Sequence, residues 1–142
     1  MTWTQEKREL GRQQPLSVPG KYLSLTTYRR DGTPVSTPVW FVEEDGRLFV
    51  ITAAGSYKAK RLRRNPAAMV APCTARGVPQ GDAIPVSVEF LAPEEHARID
   101  RLIAEKYRVD RVLILPIYRL VMKLRGKRID ERGDAYLSLK SA

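Results

Sequence analysis

Two Asp-Gly pairs, Asp31-Gly32 and Asp45-Gly46, constrain this chain more than any other feature in it. Asp-Gly favours tight hairpin turns, because both residues tolerate the positive φ angles such turns need. Around these pairs lie three strand-like runs: "YLSLTTY" (Tyr22 to Tyr28), "TPVSTPVWFVE" (Thr33 to Glu43) and "RLFVIT" (Arg47 to Thr52). Three strands joined by two such turns describe an antiparallel meander. Two further runs, "AAMVAPCT" (Ala67 to Thr74) and "PVSVEFLA" (Pro85 to Ala92), follow, and "AYLSLK" (Ala135 to Lys140) closes the chain. In the second of these, Val86, Val88 and Phe90 alternate with Ser87 and Glu89, the pattern of a half-buried strand. Six strands with few helices predict a mainly β fold, a closed or nearly closed antiparallel barrel that leaves no exposed sheet edge.

The 142 residues fit one domain with one hydrophobic core, or half of a compact dimer. The expected organisation is a leading helix (Thr4 to Gln13) and loop over 1–20, then barrel strands over 21–92. A helix over 56–64 interrupts those strands, a helical segment follows over 93–128, and a strand over 134–140 ends the domain. Pro93-Glu94-Glu95 is a favourable helix start, with acidic residues at the positive end of the dipole. Asn65-Pro66 is a stop, since the residue before proline is pushed out of the helical region.

Net charge is +9, which calls for a partner carrying negative charge: nucleic acid, an anionic membrane surface or a phosphorylated cofactor. One cysteine, Cys73, excludes an intrachain disulfide and a Cys-cluster zinc site, and one histidine, His96, argues against a His-based metal site. No metal is expected. Cys73 is read as a small apolar strand residue and His96 as an exposed helix residue. The opening "MTWTQEKREL" lacks the apolar core of a secretory signal, and "VLILPIYRLVMKL" (Val112 to Leu124) is too short to span a bilayer. A cytoplasmic protein is expected.

Most of the chemistry gathers in "ITAAGSYKAKRLRRNP" (Ile51 to Pro66). Here a strand passes through Gly55-Ser56 into a helix carrying Lys58, Lys60, Arg61, Arg63 and Arg64. The first helical turn leaves backbone N–H groups without partners, Ser56 is a good N-cap, and no capping box forms because Ala59 stands three residues on. Amides, hydroxyl and dipole make an anion seat, and a bound anion would relieve Lys58 of its conflict with the dipole. Helical spacing sets Lys58 and Arg61 on one face. A solvated basic face is the other reading of the same charge run.

Taken together, "GTPVSTPVWFVEEDGRLFVITAAGSYKAKRLRRNPAAMVAPCTARG" (Gly32 to Gly77) resembles the flavin- and deazaflavin-binding split-barrel superfamily. This superfamily includes the pyridoxamine 5′-phosphate oxidases and the small actinobacterial coenzyme F420-dependent reductases, to which the chain is most similar. The resemblance implies a split barrel, and it implies that Thr37, Pro38, Val39 and Trp40 line the tricyclic ring. It matches Thr52, Gly55, Ser56 and Lys58 to the phosphate-binding segment, with Arg61 beyond, and sets Arg76 against the cofactor of the opposite subunit of a homodimer. Where the oxidases carry a strand arginine and an Arg-Lys pair for flavin mononucleotide (FMN), this chain has Ser36 or Thr37 and Tyr57. Cations further along would suit a longer acid-tailed ligand, which favours the deazaflavin F420 over FMN.

The expectation is therefore an F420-dependent oxidoreductase moving hydride between cofactor and a small organic acceptor, with FMN as the alternative cofactor. No catalytic side chain is identified. A non-catalytic carrier of the cofactor or of a tetrapyrrole is a rival reading. Nucleic-acid binding is not expected, because aromatic residues are not interleaved with the Lys and Arg clusters. "YRLVMKLRGKR" (Tyr118 to Arg128) could lie on a membrane, but shielding the barrel or lining the substrate pocket fits it better.

Overall fold

The computed structural model describes residues 15–110, 120 and 133–142. The expected helix at Thr4 to Gln13 lies outside them, as does all of the 111–128 segment except Leu120. Seven strands are described: β1 (Tyr22–Tyr28), β2 (Pro34–Val39), β3 (Val42–Glu44), β4 (Arg47–Ala53), β5 (Ala67–Cys73), β6 (Ile84–Phe90) and β7 (Asp134–Ser141). Helix α1 spans Tyr57–Arg64, and helix α2 spans His96–Lys106 behind a 3₁₀ turn at Pro93–Glu95.

Both Asp-Gly turns are present. Asp45 and Gly46 have φ of 52° and 76°, the pair of left-handed residues that a two-residue hairpin requires. Gly32, at φ 87°, closes a longer turn in which its N–H donates to the Arg29 carbonyl (2.9 Å).

All strand pairs are antiparallel, and the order across the sheet is β2-β1-β5-β6-β7-β4-β3. The two edge strands are consecutive in sequence. Val39 ends β2 and Val42 opens β3, so only Trp40 and Phe41 separate the edges, three residue steps or at most about 11 Å. A flat seven-stranded sheet cannot satisfy that tether. It must curl until its edges almost meet, which makes a split barrel. The single expected strand from Thr33 to Glu43 is corrected accordingly: it breaks at Trp40-Phe41 into two half-strands serving opposite edges, giving seven strands instead of six.

The inward residues alternate along each strand: Leu23 and Leu25, Leu48 and Val50, Ala68 and Val70, Val86 and Val88, Leu137 and Leu139. Phe41 at the seam and Leu62 of α1 complete this cluster, together with Leu16 and Val18. Outside the barrel α2 lays Ile99 and Ile103 against Val42, Phe49 and Tyr136, and Arg98 pairs with Glu44.

The seam is held by α2. Phe41 pairs with neither edge, yet its N–H donates to the Tyr107 hydroxyl (2.9 Å) and its carbonyl accepts from Lys106 Nζ (2.9 Å). Tyr107 is fully buried and also donates to the Lys21 carbonyl (2.6 Å).

Candidate functional site

The site is built where β4 hands over to α1. Ser56, extended at φ −67° and ψ 156°, is the N-cap and accepts from the Ala59 N–H (3.2 Å). The Thr52 hydroxyl, buried at the end of β4, lies 3.3 Å from that of Ser56. Ala59 and Leu62 seat the helix on the barrel, and Asn65 ends it by donating to the Arg61 carbonyl (2.8 Å). The Ala59 amide is thus already satisfied by Ser56. The amides of Tyr57 and Lys58 precede any intrahelical acceptor, as at every helix start.

Lys58 is half-buried, and among the described residues no acid pairs with it. Burial first, and the nearby Arg61 charge second, pull its ammonium below the usual lysine range. A cation held under desolvation beside another cation gains from an anion arriving. Acidic residues are absent from the first turn of α1. These features together fit a phosphate.

The three arginines of α1 are anchored, and this narrows what they can do. Arg61 Nε donates to the Thr27 hydroxyl (2.7 Å), Arg63 Nη1 to the Ala54 carbonyl (2.9 Å) and Arg64 Nη2 to the Tyr28 carbonyl (2.9 Å). Each guanidinium has five N–H donors, so most remain available. Thr27 was not singled out from the sequence, although "YLSLTTY" puts it in phase with Leu23 and Leu25 as a polar residue facing inward.

Thr27 stands opposite Val35, so α1 and the start of β2 share one end of the barrel. The residues expected along the tricyclic ring alternate. Thr37 and Val39 register with the inward Leu25 and Leu23, whereas Pro38 registers with Ser24 on the outer face. Trp40 stacks on Tyr107, centroids 4.3 Å apart and 3° from parallel, within the α2 cluster. The side chains therefore do not form one wall. What β2 does offer is an unpaired edge, whose backbone groups have no strand partner on one side among the described residues.

Arg76 is exposed in the turn over 74–78, closed by Gly77 N–H to the Thr74 carbonyl (2.9 Å). Gly77 (φ 89°) lies against the Pro38 ring of the same chain, which brings the Arg76 turn beside β2. Tyr57, 77% exposed, stands at the first position of α1, with Lys60 Nζ 5.5 Å from its ring centroid. Arg63 lies 5.2 Å from the Phe90 ring, so aromatic residues do accompany this basic face, contrary to the sequence expectation.

Neither singleton behaves as a reactive group. Cys73 is buried as expected, and burial pushes its thiol up, away from the reactive thiolate. His96 is half-buried rather than exposed: its ring stacks 3.8 Å from Tyr136 and its Nε2 donates to the Leu91 carbonyl (3.3 Å). The described residues hold no helix long and apolar enough to cross a membrane.

A curled antiparallel barrel, split at one seam, with a capped helix at its end, defines the split-barrel class. The sequence comparison assigns it further: residues 20–108 match the pyridoxamine 5′-phosphate oxidase model, and the chain belongs to that family. None of the curated proteins matches it. Among solved structures it is similar to the conserved hypothetical protein Rv2991 from Mycobacterium tuberculosis (19% identity, TM-score 0.58, covering 99% of this chain and 81% of that one). It is also similar to an F420-H2 dependent reductase (18%, 0.54, covering 87% and 98%). The heme storage protein HutZ from Vibrio cholerae is another neighbour (15%, 0.54, covering 100% and 92%). At such identities these neighbours share the fold.

Proposed function

We propose that this chain is a deazaflavin (coenzyme F420)-dependent oxidoreductase that moves hydride between the cofactor and a small organic acceptor. The observation that carries the proposal is Lys58, a half-buried cation with no acid partner among the described residues, in the first turn of the helix that Ser56 caps. Lys58, Ser56 and the first amides of α1 would hold the phosphate, and the free edge of β2 would run beside the ring. When bound, the cofactor supplies the hydride chemistry, and the protein supplies binding and orientation. Lys60 and the remaining N–H groups of Arg61, Arg63 and Arg64 would meet carboxylates that continue past the phosphate. FMN shares the phosphate but ends there.

The proposed working form is a cytoplasmic homodimer, with Arg76 facing the cofactor of the other subunit. The described residues offer no side chain suited to general acid work at this site, and a proton would come from water.

The test compares F420 and FMN titrations of the wild type and of a Lys60→Gln, Arg63→Gln, Arg64→Gln variant. Arg61 is left in place, because it anchors α1 to buried Thr27. Exposed charge pairs contribute roughly 0.2–1 kcal/mol each. The triple variant should therefore bind F420 more weakly, with a flatter salt dependence, and bind FMN almost unchanged. Equal loss of both cofactors with the fold intact would refute the preference for the deazaflavin.

A further inference from the structure

A cavity of about 360 Å³ opens between α2 and β3, lined by Val18, Val42, Leu102, Glu43, Glu105 and Lys106. It lies at the far end of β4 from the Ser56–Lys58 seat, since β3 pairs with Arg47, Leu48 and Phe49. Its volume falls in the range of small-molecule pockets, with an apolar wall and a few convergent polar groups. We propose that this cavity binds a small zwitterion with an apolar body, of the apolar α-amino acid class.

The charges select that chemistry. In a chain with 25 basic and 16 acidic residues, this pocket holds two carboxylates to one ammonium. A simple anion would meet Glu43 and Glu105, and a simple cation would meet Lys106. A zwitterion satisfies both signs. Lys106 Nζ donates one hydrogen bond, to the Phe41 carbonyl (2.9 Å), and sits 3.5 Å from the Phe41 ring centroid. An ammonium has three donors, so a ligand carboxylate can accept another. Glu43 is fixed by the Ser17 hydroxyl (3.3 Å) and the Val18 N–H (3.2 Å). Glu105 has no hydrogen bond or ion pair among the described residues, which leaves its carboxylate for a ligand ammonium. Val18, Val42 and Leu102 then receive the apolar side chain.

The test uses the full chain without cofactor, so its outcome does not depend on the proposed oxidoreductase activity. Titrate with leucine, with its decarboxylated amine (isopentylamine), with its deaminated acid (4-methylpentanoate) and with glycine, following the Val42 and Leu102 methyl resonances. Leucine should bind, each of the other three at least tenfold more weakly. Glu105→Gln should weaken leucine and the amine but not the acid, and Lys106→Met should weaken leucine and the acid but not the amine. The exposed Glu105 change keeps the test decisive should Lys106→Met disturb the seam. Absence of methyl shifts with millimolar leucine, leucine no tighter than the acid or the amine, or no effect of Glu105→Gln on leucine, would each overturn the proposal.

Discussion

Replacing Tyr107 with Phe removes one oxygen atom from the seam and leaves the ring where it was. The stack on Trp40, 4.3 Å between centroids, survives the change. The Phe41 carbonyl keeps its bond from Lys106, and the exposed Lys21 can turn its carbonyl to water. The Phe41 N–H has no such recourse, because Phe41 is 0% exposed and the Tyr107 hydroxyl is its acceptor. One orphaned buried amide costs about 1–3 kcal/mol, a large share of a typical stability of about 5–15 kcal/mol. For a chain of this size each kcal/mol lowers Tm by roughly 2–4 °C, so the variant should melt about 2–12 °C lower. Urea unfolding should show a lower midpoint with an unchanged slope. Tyr107→Leu should lose about 0.5–1.5 kcal/mol more, because the aromatic stack goes as well. A Tyr107→Phe variant within 0.5 kcal/mol of wild type, an estimate set below that orphan cost, would refute the seam account.

The same hydroxyl predicts an alkaline limit. Burial pushes Tyr107 up to about 12, and burial together with the Asp100 hydrogen bond pushes Tyr136 up to about 12. Unfolded tyrosines ionise near pH 10, so this stabilisation is complete below pH 10 and is lost as pH rises from about 10 to about 12. Urea midpoints measured across that window should fall less steeply in Tyr107→Phe than in wild type. Ser56→Ala removes the N-cap bond to Ala59 and should cost about 1 kcal/mol by the same assay; no measurable loss would mean the cap is not formed in solution.

Much of this fold was legible in local chemistry. The Asp-Gly turns gave two hairpins, β1-β2 and β3-β4, Ser56 and Asn65-Pro66 bounded α1, and alternation in "PVSVEF" marked β6. The break between β2 and β3 was not legible, for a physical reason. Val35, Thr37, Val39 and Phe41 keep a period of two, so the run reads as one strand. The run "WFV" (Trp40 to Val42), three large apolar residues in a row, is the local sign that the faces change over. Tyr107 left no sign of its role, since its partners are backbone groups at Lys21 and Phe41, far away in sequence. In the site, the cap and the lone cation Lys58 followed from helix physics. The anchoring of Arg61 to Thr27 did not, because it depends on how the helix crosses β1.

The central claim is that Lys58 holds the phosphate of a bound deazaflavin, and a calorimetric titration of coenzyme F420 into wild type and Lys58→Ala tests it most directly. A hydrogen bond to a charged group contributes about 1.5–3 kcal/mol, so the variant should bind about tenfold to a hundredfold more weakly with its melting temperature unchanged or raised. Removing a half-buried cation that lacks an acid partner among the described residues should not harm the fold. An F420 affinity equal to wild type in Lys58→Ala would contradict the claim, and so would a wild-type protein that binds no F420.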